Sequence, residues 1–252
     1  MKKGLFVVLA FSLAFAIQAP AVFADFYHGH VQGAHQGQMH GKHGNKGAFH
    51  KSEAFIKLQA KELGIETEGK DIETLAKEVY EAKVKKAAQE LGIKAEGKDI
   101  DELAKEVHHE KVKQKAKELG IKSEGKDPDA LAKEVYEAQL KRKAEELGIS
   151  TEGKDVESLK KAIFEHYINK EADKLGIETE GKDYYSLAKE VQEKKIMQSA
   201  EKLGIDTKDK NAQQLLDEII TDHAEEAKEK GLFPFEGMKM KHSFHGVFEY
   251  ID

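Results

Sequence analysis

Apolar positions in the middle of the chain recur with a period far longer than that of a helix or a strand. The tripeptide Leu-Gly-Ile appears six times at intervals of 28 residues, starting at Leu63, Leu91, Leu119, Leu147, Leu175 and Leu203. Five copies are followed by Glu-Gly-Lys-Asp, and the sixth by Asp209-Lys210-Asn211. A fixed period of this length is typical of tandem repeat proteins. The pattern predicts an array of small units rather than one large globule.

The composition of the segments between these tripeptides predicts one helix in each unit. In the unit that starts at Asp71, the segment from Ile72 to Leu91 lacks Gly and Pro and is rich in good helix formers. Gly92 is expected to end the helix in a left-handed conformation, followed by an extended loop. The helix should therefore have about 20 residues and be about 30 Å long. N-caps are predicted at Asp71, Asp99, Asp127, Asp155, Asp183 and Asn211.

Each predicted helix has two apolar stripes. In the first complete unit, Leu75, Ala76 and Val79 form one stripe, and Tyr80, Val84, Ala88 and Leu91 form the other. We expect the first half of each helix to pack on the preceding unit and the second half on the following unit. The end of one helix, the loop after it and the start of the next helix would then form one apolar module. One such module contains Val84, Ala88, Leu91, Ile93, Ile100, Leu103 and Val107.

These patterns predict an all-α fold of tandem 28-residue helical repeats that form an extended array, with a disordered His-rich N-terminal arm. The alternative is a compact antiparallel bundle of the same helices. The expected divisions are a signal peptide at 1–24, a His/Gly-rich arm at 25–50, six repeat units at 51–231 and a C-terminal tail at 232–252.

The segment from Glu62 to Lys70, Glu-Leu-Gly-Ile-Glu-Thr-Glu-Gly-Lys, precedes a helix with Leu75 and Val79. This combination resembles the helix, extended loop, helix modules of the SAP-like and LEM-like type, repeated over residues 52–231 of an exported bacterial protein. The resemblance implies the fold of each unit. It transfers no DNA-binding residues, because the helices of this chain begin with acidic rather than basic residues. The spacing from Gly64 to Leu75 is one residue longer than that type suggests.

The N-terminal segment predicts export. Lys2 and Lys3 precede an apolar run from Leu5 to Ile17, and Val22-Phe23-Ala24 fits signal-peptidase cleavage. The run is shorter than the ~20 residues of a membrane span, so we expect a secreted or cell-envelope protein that is not an integral membrane protein after cleavage. Removing this segment, which has two Lys and no acidic residue, leaves a net charge of −8. That charge argues against nucleic acid as a partner.

The segment after the cleavage site is rich in histidine. It contains half of the 12 His of the chain, at His28, His30, His35, His40, His43 and His50. Imidazole is the commonest side-chain ligand of Zn, Cu and Ni, so we expect these ions to bind to the arm. The alternative is a hydrophilic spacer without a metal role.

A second group of metal-ligand residues lies near the C-terminus, at Met238, Met240, His242 and His245. Thioether and imidazole together suit copper, especially Cu(I). The alternatives are an ordinary C-terminal segment, or apolar docking through Phe244 and Phe248. The chain has no Cys, so the soft-metal ligands are confined to imidazole and thioether.

Motifs of catalysis are absent from the sequence, which has no nucleophile-elbow Ser, zinc-protease helix or phosphate-binding glycine loop. We therefore expect no enzymatic activity. The repeated Glu-Gly-Lys-Asp lacks the ligand density of a calcium loop and is interpreted as structural. Two functions remain: transition-metal binding through the His-rich arm, or a structural or adhesive role in the cell envelope through repeated contacts with a cell-wall polymer or a surface protein.

Overall fold

A computed structural model describes residues 53–236 of the protein, and this part of the chain is all-helical. We number its helices in chain order. They are α1 (Glu53–Glu62), α2 (Ile72–Glu90), α3 (Ile100–Glu118), α4 (Pro128–Glu146), α5 (Val156–Leu175), α6 (Tyr184–Lys202), α7 (Ala212–Asp222) and α8 (Ala224–Glu229). The five helices from α2 to α6 have 19 or 20 residues each, as the repeat predicted.

Local hydrogen bonds fix both ends of each repeat helix. The carboxylate of Asp71 accepts from the backbone N–H of Thr74 at the start of α2, and the five other predicted caps make equivalent bonds. At the other end of α2, Gly92 has φ +70°, and its N–H donates to the carbonyl of Gln89. The N–H of Ile93 donates to the carbonyl of Ala88 at 2.8 Å. These two bonds form the Schellman cap, which turns the chain into the extended loop.

Neighbouring helices pack through the two stripes that the sequence predicted. The cluster between α2 and α3 contains all seven residues of the predicted module, together with Tyr80, Ala87, Ala95 and Ala104. Equivalent clusters join each helix to the next, from α1 to α7. At the centre lies one alanine per unit with no exposed surface, namely Ala60, Ala88, Ala116, Ala144, Ala172, Ala200 and Ala227. This small side chain allows the loop and the next helix to approach closely.

The two ends of the array meet, because α1 packs against α7 as well as against α2. Helix α1 aligns with the second half of the other repeat helices. The sequence analysis expected contacts chiefly between neighbours in an extended array, and it did not predict this closure. An open array would leave apolar surface uncovered at each end. In the closed array, each end covers the other.

The last unit departs from the repeat at its middle. Its helix is interrupted at His223, where φ is −124°, and this break separates α7 from α8. After the break the pattern resumes one residue early: Ala227 takes the place of the central alanine, and Gly231-Leu232 replaces Gly-Ile. The N–H of Leu232 donates to the carbonyl of Ala227 at 2.8 Å, as Ile93 does to Ala88. A seventh cap is therefore present at the end of the array.

None of the helices between residues 53 and 236 is both long and apolar enough to cross a membrane. The all-α repeat array predicted from the sequence is confirmed. The closure of the array and the break at His223 were not predicted from the sequence.

Candidate functional site

The contact between the two ends of the array, which we call the seam, has an apolar core. It joins α1 to α7, to α8 and to residues 230–236. Phe55 from α1 is 6% exposed and belongs to the same buried cluster as Ile220, Ala224, Leu232 and Phe235. Phe235 is only 1% exposed, so the last described residues are held firmly against this core. The apolar contact alone makes the seam a substantial part of the fold.

An ion-pair network lies beside this core. The ammonium of Lys228 is 2.5 Å from a carboxylate oxygen of Glu62 in α1 and 2.9 Å from one of Glu225 in α8. The same ammonium lies 5.5 Å from the ring centroid of Phe235. Burial by itself lowers the pKa of Lys228, but the hydrogen bonds to Glu62 and Glu225 outweigh it and raise that pKa above its usual value. Lys228 is therefore a charged link between the two ends.

A second network anchors the last described residues to the array. Lys195 of α6 is 2.9 Å from Glu171 of α5 and 2.5 Å from Glu236, and its ammonium lies 5.9 Å from the ring centroid of Phe233. Burial by itself raises the pKa of Glu171, but hydrogen bonds from Lys174 and Lys195 hold it below its usual value. The C-terminal end of the described chain is thus fixed by charge as well as by apolar packing.

Among the described residues, Lys83 of α2 is the one cation whose side chain is buried. Its side chain, 8% exposed, donates to Oε1 of Gln59 in α1 at 2.6 Å. Burial lowers the pKa of Lys83 to about 8, against a smaller opposing effect of Glu62. A buried lysine with one neutral partner is costly for the fold. This residue reflects how closely α1 and α2 approach each other.

The surface of the seam contains an open cleft of about 740 Å³ between α1 and the α7–α8 junction. Leu58, Ile65 and Ile220 contribute apolar atoms, and Lys61 and Glu225 contribute charged side chains. Ala54, close to the point where the His-rich segment joins the fold, also lines it. The cleft therefore lies beside the base of the predicted metal-binding arm.

The predicted metal ligands lie outside the described residues. These are His28, His30, His35, His40, His43, His50, Met238, Met240, His242 and His245. The segments that contain them join the fold at Glu53 and Glu236, the first and last described residues. Within residues 53–236, no group of three or more His, Asp or Glu side chains is arranged to hold a metal ion. What the structure provides is the relative position of the two attachment points.

The lysine of the repeated loop has a structural partner that sequence reasoning missed. In five units it pairs with the glutamate eight residues later, as in Lys98 with Glu106 and Lys126 with Glu134. The exception is Lys154, because residue 162 is Ala. The recurrence of Lys and Glu at this spacing was a readable signal. This ion pair, which we call the strap, connects the loop to the following helix and accounts for the lysine of the loop motif.

The histidines within the array occupy structural positions. His108 takes the repeat position of Tyr80, Tyr136 and Phe164 and is half-buried, so it serves there as an aromatic substitute. His109 is also half-buried, and its Nδ1 has no hydrogen-bond partner among the described residues. Two neighbouring histidines on a helix point in different directions, so they form no chelating pair.

An aromatic surface lies at the junction of α5 and α6. The rings of Tyr184 and Tyr185 are tilted at 36° with centroids 4.1 Å apart, and Lys161 lies 5.4 Å from the Tyr184 centroid. Tyr185 is 48% exposed, the most of any large hydrophobic side chain in the described residues. Burial and the neighbouring Tyr185 raise the pKa of Tyr184 to about 12, so the Tyr184 ring remains neutral at physiological pH.

Comparison with known proteins adds no family: no protein family and no curated protein matches the sequence. The resemblance to SAP-like and LEM-like modules stays a prediction.

Proposed function

We propose that the protein is an exported, non-enzymatic helical-repeat protein that binds transition-metal ions through its His-rich arm. The observation that supports this function is the distribution of histidine, because six of the 12 lie between residues 25 and 50. Between residues 53 and 236, the repeated residues form helix caps, ion pairs between loop and helix, and apolar modules. In this proposal the repeats are a rigid base, and the terminal segments hold the ligands.

The coordination chemistry follows from imidazole. Each histidine must be neutral to bind a metal ion, so binding weakens as the pH falls below about 6.5. The six histidines are separated by two to seven residues and match no fixed structural zinc spacing. We therefore propose Zn, Cu or Ni as the ions, with selectivity set by geometry and availability rather than by a preformed cage.

Calorimetry with Zn²⁺, Cu²⁺ and Ni²⁺ tests the proposal. The mature protein starting at Asp25 is compared with a truncated protein starting at Lys51, which keeps every described residue. The mature protein should bind, and the truncated protein should lose most of that binding. Equal binding by both proteins would contradict a role for the arm. A titration repeated at pH 5 should show weaker binding by the mature protein.

A second candidate function is favoured by the Tyr184–Tyr185 surface. Exposed aromatic rings beside a lysine are suited to stacking and hydrogen bonding with a polymer such as a cell-wall glycan. This would make the protein a structural or adhesive module of the cell envelope. Retention of the mature protein on purified cell wall should fall when Tyr185 is replaced by Ala. The matched substitution Tyr136→Ala, at the next most exposed tyrosine, is the control.

A further inference from the structure

We propose that the cleft of the seam is a docking site for the chain's own C-terminal segment, residues 237–252. The site itself is built from residues of α1, the loop after it and the α7–α8 junction. This docking does not require metal binding, so it goes beyond the proposed function. Among the alternatives that the sequence leaves open for the C-terminal segment, the structure favours apolar docking, because it supplies a surface that fits the segment.

The cleft departs from the repeat in a way that favours an apolar occupant. Leu58 is half-buried: it packs on the apolar core of the seam and also lines the cleft. Ile65, likewise half-buried, lies beside it in the lining. The position of Leu58 is polar in the next five units, as Lys86, Gln114, Arg142, Lys170 and Gln198. An apolar side chain that the repeat does not require, at an open cleft, indicates a surface for a partner.

The size and charge of the cleft suit a short cationic segment. Its volume of about 740 Å³ lies within the ~300–1,000 Å³ of pockets that enclose a small ligand, so a few side chains can fill it. Two basic and four acidic residues line it, namely Lys57, Lys61, Glu66, Asp222, Glu225 and Glu226. With His223 neutral, the lining therefore has an excess of two negative charges.

The C-terminal segment has the matching charge and the matching apolar spacing. Its first nine residues, 237–245, include two lysines and no acidic residue. Four apolar residues recur at i, i+3, i+4 and i+7, namely Phe244, Val247, Phe248 and Ile251. This spacing is typical of an amphipathic helix that binds in an apolar groove. The segment can thus place apolar anchors in the cleft and positive charge at its acidic side chains.

The segment begins close enough to reach the cleft. Phe235 belongs to the same buried cluster as Ile220 and Ala224, and these two residues line the cleft. Phe244 follows Glu236 by eight residues, so covalent geometry lets it lie up to about 28 Å from Glu236. A segment on so short a tether has an effective concentration on the order of 1 mM. Docking therefore needs only a modest intrinsic affinity.

The His-rich arm is less suited to this cleft, although it joins the fold beside it. Its aromatic residues Phe26, Tyr27 and Phe49 lie at its two ends. The residues between them contain Val31 and Met39 as their large apolar side chains. That stretch therefore lacks a set of apolar anchors at helical spacing. The C-terminal segment is the occupant that fits.

Pulsed electron paramagnetic resonance on the mature protein tests the docking. The chain has no natural Cys, so spin labels can be placed on Ser243→Cys, beside the first anchor, and on Glu229→Cys. Glu229 is exposed and lies one helical turn after Glu225, which lines the cleft. Docking predicts one narrow distance distribution, whereas a segment that does not dock gives a broad one. A broad distribution in this protein would overturn the inference.

Two variants of the labelled protein identify the anchors and the surface. Phe244→Ser combined with Phe248→Ser changes the segment and leaves every described residue in place. Leu58→Lys changes the cleft and introduces the residue type that the next unit has at this position. Each variant should lower the docking equilibrium constant at least ~10-fold, because a few buried anchors dominate such contacts, and should broaden the distribution. A narrow distribution that survives either change would overturn the inference.

The fold of Leu58→Lys is checked first by circular dichroism and urea unfolding. If it does not fold, the exposed pair Glu66→Lys and Asp222→Lys replaces it and removes the acidic charge that faces the segment. The matched control is Met238→Leu with Met240→Leu, which keeps apolar side chains and removes the thioethers. This control should leave the distribution narrow, with and without EDTA. Broadening in EDTA would make a metal ion the cause and overturn the inference.

Two further samples identify the occupant. The truncated protein that starts at Lys51 should keep the narrow distribution, because the His-rich arm is not the segment in the cleft. Its loss there would overturn the assignment of the cleft to residues 237–252 alone. A mixture of two singly labelled proteins should give no defined distance. A defined distance in that mixture would place the segment in the cleft of a second copy and overturn docking within one chain.

Discussion

The ammonium of Lys228 lies 2.5 Å from a carboxylate oxygen of Glu62, a residue 166 positions earlier in the sequence. Most other ion pairs of the array join residues of one unit or of adjacent units. This pair joins the first helix to the last. Together with Phe55 and Phe235 it defines the seam, and the seam turns a linear series of modules into a closed one.

Reversing one charge of this pair should destabilise the seam, and reversing both should restore part of the loss. Lys228→Glu would face Glu62 and Glu225, so we expect a loss of about 1 kcal/mol in the free energy of unfolding. Adding Glu62→Lys should recover about half of it. Urea denaturation of the two single variants and the double variant measures the coupling. Additive effects without recovery would show that the pair does not hold the ends together.

The pKa of Lys83 predicts that stability increases at alkaline pH. Its folded value of about 8 lies below the ordinary 10.5. Between these values the unfolded chain binds a proton that the folded chain does not, so stability rises with pH through this window. The shift corresponds to about 3 kcal/mol. Lys83→Met should therefore be more stable than the natural protein at pH 7 by about 1–3 kcal/mol.

The pH dependence distinguishes this effect from a general gain in apolar packing. The stability difference between Lys83→Met and the natural protein should shrink as the pH rises from 7 to 10. The control is Lys85→Met on the same helix, whose side chain is 60% exposed, and it should change stability little at any pH. A difference that stays constant with pH would contradict the lowered pKa of Lys83.

Most of the fold was readable from the sequence because its determinants are local. The cap at Asp71 and the turn at Gly92 depend on residues within one unit. The module that contains Val84 and Leu103 depends on adjacent units. Closure depends instead on the position of α1 relative to α7. That position results from the rotation between successive units, summed over the whole array, and no local sequence pattern gives this rotation.

A signal of closure is nevertheless present in the sequence. Phe55 occupies a repeat position that is polar or charged in most other units, such as Lys83 and Lys195. An apolar residue at such a position in the first helix of an array indicates a surface that is covered. The metal ligands themselves could be listed from composition, whereas the proximity of their attachment points required the three-dimensional structure.

Replacing Asp209 by Gly should stabilise the last complete loop. Asp209 has φ +60° at the position where the five other units have Gly. A left-handed conformation costs about 1–2 kcal/mol for an ordinary residue, and glycine offsets part of that gain through its unfolded-state entropy. We expect a net gain of about 0.5 kcal/mol in thermal or urea unfolding. The matched change Gly181→Ala should lose about 1 kcal/mol, and gains from both substitutions would contradict the assigned backbone conformation.

The strap between loop and helix can be added to the one unit that lacks it. Ala162→Glu places a carboxylate eight residues after Lys154, and we expect a gain of about 0.3–0.5 kcal/mol at low salt. Lys98→Ala should lose a similar amount because it removes the pair with Glu106. The control is Lys154→Ala, which has no such glutamate to lose. Denaturation in 1 M NaCl should reduce these differences, since exposed ion pairs are screened.

Closure of the array is the central claim, and a distance between its two ends tests it most directly. The chain has no natural Cys, so Lys61→Cys in α1 and Glu225→Cys in α8 give a uniquely labelled pair at exposed positions. Pulsed electron paramagnetic resonance on spin labels at these residues should give one narrow distribution below about 25 Å, because both line the same cleft. An open array, with six interhelical steps of 8–10 Å, would give a distribution near about 50 Å, and that result would contradict the account.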